Sequence, residues 1–367
     1  MYKHSEKEEM MERHWKVAIP VILAVLVATI LGACVPAPPA EEVVAPPVEE
    51  EPPPAVVEEE APAPEEELTV YVVVHGGIAH PFWRVVEKGA ADADALYPDL
   101  KVIYSGPEEY DLEEFVSLVE AAIAAKPNGL IVTITSHEAL DEPLRRAIEG
   151  GLPVIAINAM DPRPEAERIP YLTYIGEDHY MMGALVAKKM LAMMRENGVE
   201  PEGAVYGNHH PGAFHIEQRA AGFVDTVKAE GIPAEQIDVT EDPVKGAEVL
   251  VAYLKANPDT NMVQPAGTPH SEAFIPRAIE EGYTPGNDLF VATIDLSPKV
   301  LEYIEDGTML FATDQQQYLQ GYLSVVHMYL HLKYGFVPPP APISTGEAAA
   351  TKDLVPMIRD LVEKGYK

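Results

Sequence analysis

From residue 68 onward, short runs of β-branched residues alternate with amphipathic stretches of helical length. The runs are almost continuously apolar, which is typical of strands that are buried on both faces of a sheet. In the first half, the pattern predicts strands over 68–74, 101–104, 129–134 and 153–157, and helices over 82–97, 112–126 and 138–149. Strands and helices in this alternation predict right-handed βαβ units around a parallel sheet.

The same rhythm starts again in the second half of the chain. Strands are predicted over 204–206, 237–240, 262–264 and 289–294, and helices over 180–196, 214–230, 244–256, 271–281 and 299–305. The fold class is therefore α/β, with two Rossmann-like parallel-sheet lobes of similar size.

A ligand of such a fold is expected at the carboxyl ends of the strands. In open α/β sheets, ligands bind outside these ends, where the strand order reverses. The segments that follow the predicted strands are rich in Asn, Asp, Gln, His and aromatic residues: 75–83, 105–110, 135–137, 158–161, 177–180, 207–215, 266–270, 295–297 and 314–317. We expect these segments to converge on one site.

The first 34 residues have the layout of a secretory signal peptide. An uncharged apolar run over 17–31 follows Arg13 and Lys16 and ends in Leu31-Gly32-Ala33-Cys34, with small residues before the cysteine. Leu-Gly-Ala-Cys resembles the lipobox of bacterial lipoproteins, which implies that Cys34 becomes the mature N-terminus and carries a lipid. The alternative is an uncleaved membrane anchor, although the run is shorter than the ~20 residues that a spanning helix needs.

Residues 35–67 form a second distinct segment, built almost entirely from Pro, Ala, Val and Glu. This composition cannot bury a core, and proline and charge repulsion both favour an extended chain. The segment is therefore predicted to be a disordered Pro/Glu-rich tether between the lipid and the folded part.

Composition excludes several classes of function. The chain has 59 acidic and 26 basic residues and a net charge of −33, which would repel the phosphates of a nucleic acid. Cys34 is the single cysteine, so neither an intramolecular disulfide nor a CxxC or multi-cysteine metal site can form. The GxSxG, GxxxxGK[ST] and HExxH motifs of common enzymes are absent. We therefore expect a protein that is not an enzyme and needs no cofactor.

The residues at the strand ends resemble those of the type I periplasmic sugar-binding proteins, the ribose- and galactose-binding group. The resemblance covers nearly all of residues 68–367 and rests on eight pieces that occur in family order. The most telling are His80-Pro81-Phe82-Trp83, the stretch Gly151-Leu152-Pro153-Val154-Ile155-Ala156-Ile157-Asn158, Gln218-Arg219-Ala220-Ala221-Gly222-Phe223, the strand end at Asp295, and Ala312-Thr313-Asp314-Gln315.

This resemblance implies a clamshell whose lobes are joined by three crossovers, with a sugar bound between them. Residues 68–176 plus about 316–340 would form the N-terminal lobe, and 177–315 plus about 341–367 the C-terminal lobe. Phe82 and Trp83 would form an aromatic platform, and the other ligand contacts would come from His80, Asn158, Asp295, Gln315, Arg219 and His210. The sequence departs from the family at Ala159 and Glu217, where the family has arginines.

The residue types also suit a sugar on physical grounds. A sugar ring offers an apolar face and hydroxyls that both donate and accept, so its site needs flat aromatics and polar groups of mixed sense. Two features stay open. Asp295 could instead cap the helix that contains Pro298. The histidines at strand ends (His80, His137, His209, His210, His215 and His270) could bind a metal, although their spacing matches no metal motif and a hydroxyl-binding role is preferred.

The expected function is that of a monomeric, lipid-anchored, extracytoplasmic solute-binding protein. It would deliver a small polar ligand, a sugar or polyol, to the permease of an ABC importer and would bind no nucleic acid. Two alternatives stay open at this point. The chain could be the sensor module of a membrane receptor, or its ligand could be a nucleoside or a furanosyl signalling molecule.

Overall fold

The computed structural model describes residues 67–77, 80–339, 342–346 and 348–367. The predicted signal peptide, Cys34 and residues 35–66 of the predicted tether lie outside the described residues. Among the described helices, none combines the length and the apolar character that crossing a membrane requires.

Twelve strands and ten helices make up the described part of the chain. The strands are Leu68–Val73 (β1), Leu100–Ser105 (β2), Gly129–Val132 (β3), Val154–Ile157 (β4), Tyr174–Gly176 (β5), Ala204–Asn208 (β6), Ala234–Asp238 (β7), Met262–Gln264 (β8), Phe290–Ile294 (β9), Phe311–Asp314 (β10), Ile343–Ser344 (β11) and Ala348–Ala350 (β12). The helices are Pro81–Asp94 (α1), Leu112–Ala124 (α2), His137–Glu149 (α3), His179–Glu196 (α4), Phe214–Ala229 (α5), Pro243–Ala256 (α6), Thr268–Glu280 (α7), Pro298–Asp306 (α8), Gln317–Tyr334 (α9) and Val355–Glu363 (α10).

The first sheet has the strand order β11-β5-β4-β3-β1-β2, and all its pairings are parallel. Strands β3 and β4 are buried at every residue because helices cover both faces. Val86 of α1 and Met328 of α9 pack on one face, while Phe115 of α2 and Leu144 of α3 pack on the other. We call this sheet with α1, α2, α3 and α9 the first lobe.

The second sheet repeats this plan with the order β12-β10-β9-β8-β6-β7. Its pairings are parallel except that β12 runs antiparallel to β10. Phe223 of α5 packs on one face, and Leu250 of α6 and Phe274 of α7 pack on the other. This sheet with α4 to α8 and α10 is the second lobe. The predicted α/β fold with two parallel-sheet lobes is confirmed.

The chain passes between the lobes three times. It enters the second lobe after β5, returns to the first lobe between β10 and α9, and leaves it again between β11 and β12. The residues at these crossings are Glu177, Gln315–Gln316 and Thr345–Gly346, and we call them the hinge. The exact residue bounds proposed for the lobes stay a proposal, and strand β11 pairs with β5 of the first lobe.

Each lobe contains one pair of helices that touch backbone to backbone at glycines. These are Gly89 of α1 with Gly321 of α9, and Gly183 of α4 with Gly222 of α5. A Cβ atom at any of the four would lie 1.8 to 2.1 Å from a carbonyl oxygen of the partner helix. Because such a distance is far inside van der Waals contact, a larger residue would force the helices apart.

The prediction for the strand over 237–240 was wrong in its position. The observed strand β7 begins at Ala234 and ends at Asp238, and its register is fixed by β6, from Ala204 against Ala234 to Asn208 against Asp238. Strand β7 is an edge strand with one neighbour, so only part of it is buried and its apolar pattern is weak. The alternating apolar and polar residues Ile237-Asp238-Val239 are typical of a strand, so the predicted strand extended past Asp238 into the loop.

Candidate ligand-binding site

Side chains that follow strand ends meet between the two lobes. The ring of His75, directly beyond β1, lies 5.8 Å from that of His215 in the second lobe. The ring of Tyr110, which follows β2, stacks at 5.6 Å on that of His210, which follows β6. The segments after strands of both sheets therefore line one cleft.

Gln315 lies at the hinge and is held by two residues of the second lobe. Its Nε2 donates hydrogen bonds to the two carboxylate oxygens of Asp295, at 3.0 and 2.9 Å. Its Oε1 accepts a hydrogen bond of 3.2 Å from Arg219. Because Gln315 is 4% exposed, its amide is held in one orientation by these partners.

Arg219, the donor to Gln315, also forms an ion pair with Glu177. The guanidinium contacts Glu177 Oε1, and His179 Nδ1 lies 2.8 Å from the same oxygen. Arg219 is 4% exposed and Glu177 1%. Burial alone would raise the pKa of the Glu177 carboxyl, but Arg219 and His179 outweigh burial and leave that pKa below its ordinary value. Glu177 is therefore a charged hinge residue.

Asp295 is held at the end of β9 in a backbone conformation with φ 71°. Its Oδ1 also accepts a hydrogen bond of 2.7 Å from Gln317. Burial raises the pKa of Asp295 to about 7, although Arg219 opposes the shift. Asp295 does not cap the next helix, because Ser297 takes that role by accepting a hydrogen bond of 3.0 Å from the Val300 amide.

Asn158 lies at the opposite wall of the hinge. It follows β4 with φ 60° and is 6% exposed. Its Nδ2 donates to Gln320 Oε1 at 3.3 Å, and its carbonyl accepts a bond of 2.7 Å from the Tyr174 hydroxyl. Gln320 in turn donates to the Gln315 carbonyl and to Thr345, so Asn158 belongs to the same polar network.

The predicted aromatic platform lies at the start of α1. Trp83 is 6% exposed and packs into the core of the first lobe, and its ring lies 4.9 Å from that of His75. Phe82 is partly buried and its ring lies 4.7 Å from that of Trp83. His80 caps the helix, since its Nδ1 accepts a hydrogen bond of 3.2 Å from the Phe82 amide. The role of these three residues in binding stays a prediction.

Six histidines and one tyrosine form a continuous row of ring contacts across the cleft, which we call the histidine row. In order, its members are His179, His215, His75, Tyr110, His210, His209 and His270. Neighbouring ring centroids are 4.3 to 5.9 Å apart. In the described part of the chain, no group of three His, Cys, Asp or Glu residues is placed to hold a metal ion.

Several buried polar atoms of this region have no hydrogen-bond partner among the described residues. They are His75 Nδ1, His209 Nδ1, Arg219 Nε, Glu177 Oε2, Gln317 Oε1 and both amide atoms of Gln264. A buried polar atom without a partner is destabilising, so such atoms mark places where a ligand or water completes the bonding. The set contains donors and acceptors, which matches the hydroxyls of a polyol.

The segments predicted to form the site contain His75, His179 and Gln317, although none of these three residues was given a role of its own. Gln264 and Gln320 were not among the predicted site residues. Gln264 is the last residue of β8 and lies just before such a segment. Gln320 lies in a helix that was not predicted, and its partners are distant in sequence.

The comparisons with known proteins agree with this geometry. A family model described as a periplasmic binding protein domain matches residues 70–335. The chain is 29% identical over 293 residues to a xylose/arabinose-binding protein of Sulfolobus acidocaldarius, a match that covers 76% of this chain and 70% of that protein.

Solved structures of carbohydrate transport proteins are similar as well. One is a carbohydrate transporter from Acidothermus cellulolyticus in complex with myo-inositol, with 25% identity and a TM-score of 0.72 over 82% of this chain and 100% of that chain. Another is a periplasmic sugar-binding protein from Legionella pneumophila, with 27% identity and a TM-score of 0.68 over 76% of this chain and 100% of that one.

Proposed function

This chain belongs to the periplasmic binding protein domain family, and on that premise we propose that it captures an uncharged sugar or polyol outside the cytoplasm and delivers it to an ABC importer. The prediction that the chain is not an enzyme agrees with this membership, because the family model and the relatives describe binding proteins. We expect the protein to bind its ligand as a monomer.

The observation that carries the proposal is the set of unpartnered polar atoms in the cleft. His75 Nδ1 belongs to the first lobe, and His209 Nδ1 and the amide of Gln264, at the end of β8, belong to the second. A ligand that inserts hydroxyls between the lobes would satisfy these atoms and hold both lobes at once. The relatives support a sugar or polyol, since one is named a xylose/arabinose-binding protein and another was solved in complex with myo-inositol.

Charge favours a neutral ligand. Arg219 is a buried cation at this cleft, and its charge is already neutralised by its ion pair with Glu177. Asp295 adds a carboxylate beside it, which would repel an anionic sugar acid or sugar phosphate. The proposed ligand is therefore uncharged.

The test is a thermal-shift screen of the purified protein with D-xylose, D-arabinose, D-tagatose, myo-inositol and a set of nucleosides. A ligand that binds only the folded state adds about 2.7 kcal/mol of stability at 100 times its Kd, so at least one sugar or polyol is expected to raise the Tm by several degrees. D-galacturonate serves as the matched anionic control and is expected to have no effect. A shift with nucleosides alone would refute the sugar assignment.

We also propose that Cys34, which lies outside the described residues, carries the lipid that anchors the protein. The basis is Leu31-Gly32-Ala33-Cys34 after an apolar run. Cys34→Ser is expected to move the protein from the membrane fraction to the soluble one without changing sugar affinity. Intact-mass analysis of the wild-type protein from membranes is expected to show a lipid on Cys34, and its absence there would contradict the proposal.

A further inference from the structure

We propose that His75, His209 and His215 recognise the ligand as neutral imidazoles, so that capture of the ligand expels protons from the cleft. This inference rests on the proposed function and deepens it. It assigns a role to histidines for which the sequence alone allows either hydroxyl binding or metal binding.

The three histidines come from both lobes. The ring of His75 in the first lobe lies 5.8 Å from the ring of His215 in the second lobe. The ring of His209 lies 4.3 Å from that of His210 and 5.4 Å from that of His270. His75 and His209 also each present a buried Nδ1 atom that has no partner among the described residues. A neutral imidazole offers one donor and one acceptor, which suits a hydroxyl that does both.

The second support is the placement of acids along the histidine row. Glu177 pairs with His179 at one end of the row, and Glu241 lies 3.1 Å from His210 Nε2. At the other end, the charge of Asp242 favours the protonated form of His270. Among the described residues, no ion pair involves His75, His209 or His215. The cationic Arg219 also lowers the pKa of His209 and His215 and so disfavours their protonation.

Burial makes protonation of these rings costly while the lobes are in contact. Burial and, secondarily, His210 lower the pKa of His75 to about 3. Burial and neighbouring histidines hold the pKa of His209 and His215 well below the ordinary value. Separation of the lobes would return the rings to water and their pKa toward the ordinary value of about 6.5.

The direction of the pH effect follows from these shifts. Above about pH 6.5 the rings are neutral in both states, so their contribution to ligand capture is constant. Below that pH the open cleft takes up protons that the closed cleft must release, and each histidine weakens binding by up to about tenfold per pH unit. Asp295 acts in the opposite sense, because its pKa of about 7 lets the closed cleft keep one proton. Three histidines against one aspartate leave a net release of protons.

The experiment is isothermal titration with whichever of D-xylose, D-arabinose, D-tagatose and myo-inositol gives the largest Tm shift. Titrations at about pH 8 and about pH 5.5, each in two buffers of different ionisation enthalpy, count the protons exchanged. We expect no net release at the higher pH, release of one or more protons at the lower pH, and affinity at least about tenfold weaker there.

Variants and spectroscopy separate this inference from a structural role. His75→Asn and His215→Asn are each expected to lower the proton count and flatten the pH profile, while His331→Asn, at the far end of α9, leaves both unchanged. Histidine NMR signals of the wild type are expected to titrate near pH 6.5 without sugar and to stop titrating there with it, which tests the inference even if a variant fails to fold. Sugar binding without proton release at about pH 5.5 would overturn the inference and leave the proposed function standing. Failure of all four ligands to bind at either pH would refute both.

Discussion

Replacing Arg219 with methionine is expected to lower the free energy of unfolding by about 3–5 kcal/mol. Methionine keeps much of the side-chain length but removes the charge that neutralises Glu177. The Glu177 carboxylate, 1% exposed, would then keep His179 as its one charged or hydrogen-bonding partner among the residues that the structure describes. Urea denaturation at neutral pH measures this loss.

The stability that Arg219→Met loses is expected to depend on pH. In the wild type, Arg219 lowers the pKa of Glu177, so the ion pair stabilises the protein above the ordinary carboxyl pKa and this contribution disappears as the pH falls through the lowered value. Without the arginine, the carboxyl can take up a proton more easily. The difference between Arg219→Met and the wild type is therefore expected to be largest at neutral pH and smaller at about pH 4.

Two comparisons isolate the buried pair. Arg195→Met removes a similar pair with Glu230, whose side chains are 43% and 49% exposed, and is expected to cost less than about 1 kcal/mol. The double variant Glu177→Gln with Arg219→Met removes the unpaired charge and is expected to recover part of the lost stability. A single variant Arg219→Met as stable as Arg195→Met would show that the hinge does not depend on this pair.

Replacing Asp295 with alanine is expected to weaken sugar binding by at least about tenfold. The carboxylate orients Gln315 and Gln317, and charge-assisted hydrogen bonds contribute roughly 1.5–3 kcal/mol each, where 1.4 kcal/mol corresponds to one decade of Kd. Isothermal titration at about pH 8, above the Asp295 pKa of about 7, measures the change with the wild-type carboxyl ionised.

The backbone at Asp295 requires a second variant. Its φ of 71° is tolerated better by asparagine than by alanine, so Asp295→Asn removes the charge with less strain. We expect Asp295→Asn to weaken binding as well, while Asp306→Ala, an exposed aspartate of the same lobe, leaves it unchanged. A lower Tm of the unliganded protein with intact affinity would make Asp295 a structural residue and would contradict the prediction.

The sequence was sufficient to predict the fold because the central strands of both sheets are buried on both faces. Runs such as Gly129–Val132 and Phe290–Ile294 are buried at every residue and, apart from Thr293, lack polar side chains, and this signal survives without any knowledge of neighbours. The strand Tyr174–Gly176 was not predicted. It exists because β4 and β11 pair with it on either side.

The candidate site was predictable only in part, for a similar reason. Asn158 and Asp295 could be predicted because each directly follows a buried strand, which is visible in the neighbouring sequence alone. The contacts of Gln315 with Arg219, 96 residues away, and of Asn158 with Gln320, 162 residues away, join segments that are far apart in the sequence and come together only in the tertiary fold. The histidines were visible in the sequence, but the order of their rings in the histidine row required the structure.

The helix pairs that touch at glycines have a practical consequence for the design of a biosensor. Because α1 and α9 are locked together at Gly89 and Gly321, and α4 and α5 at Gly183 and Gly222, each lobe should move as one rigid body. A pair of fluorophores on the exposed Leu96 of the first lobe and the exposed Ile279 of the second would then report rotation at the hinge, free of deformation inside either lobe. A change in energy transfer between them could be read directly as ligand concentration.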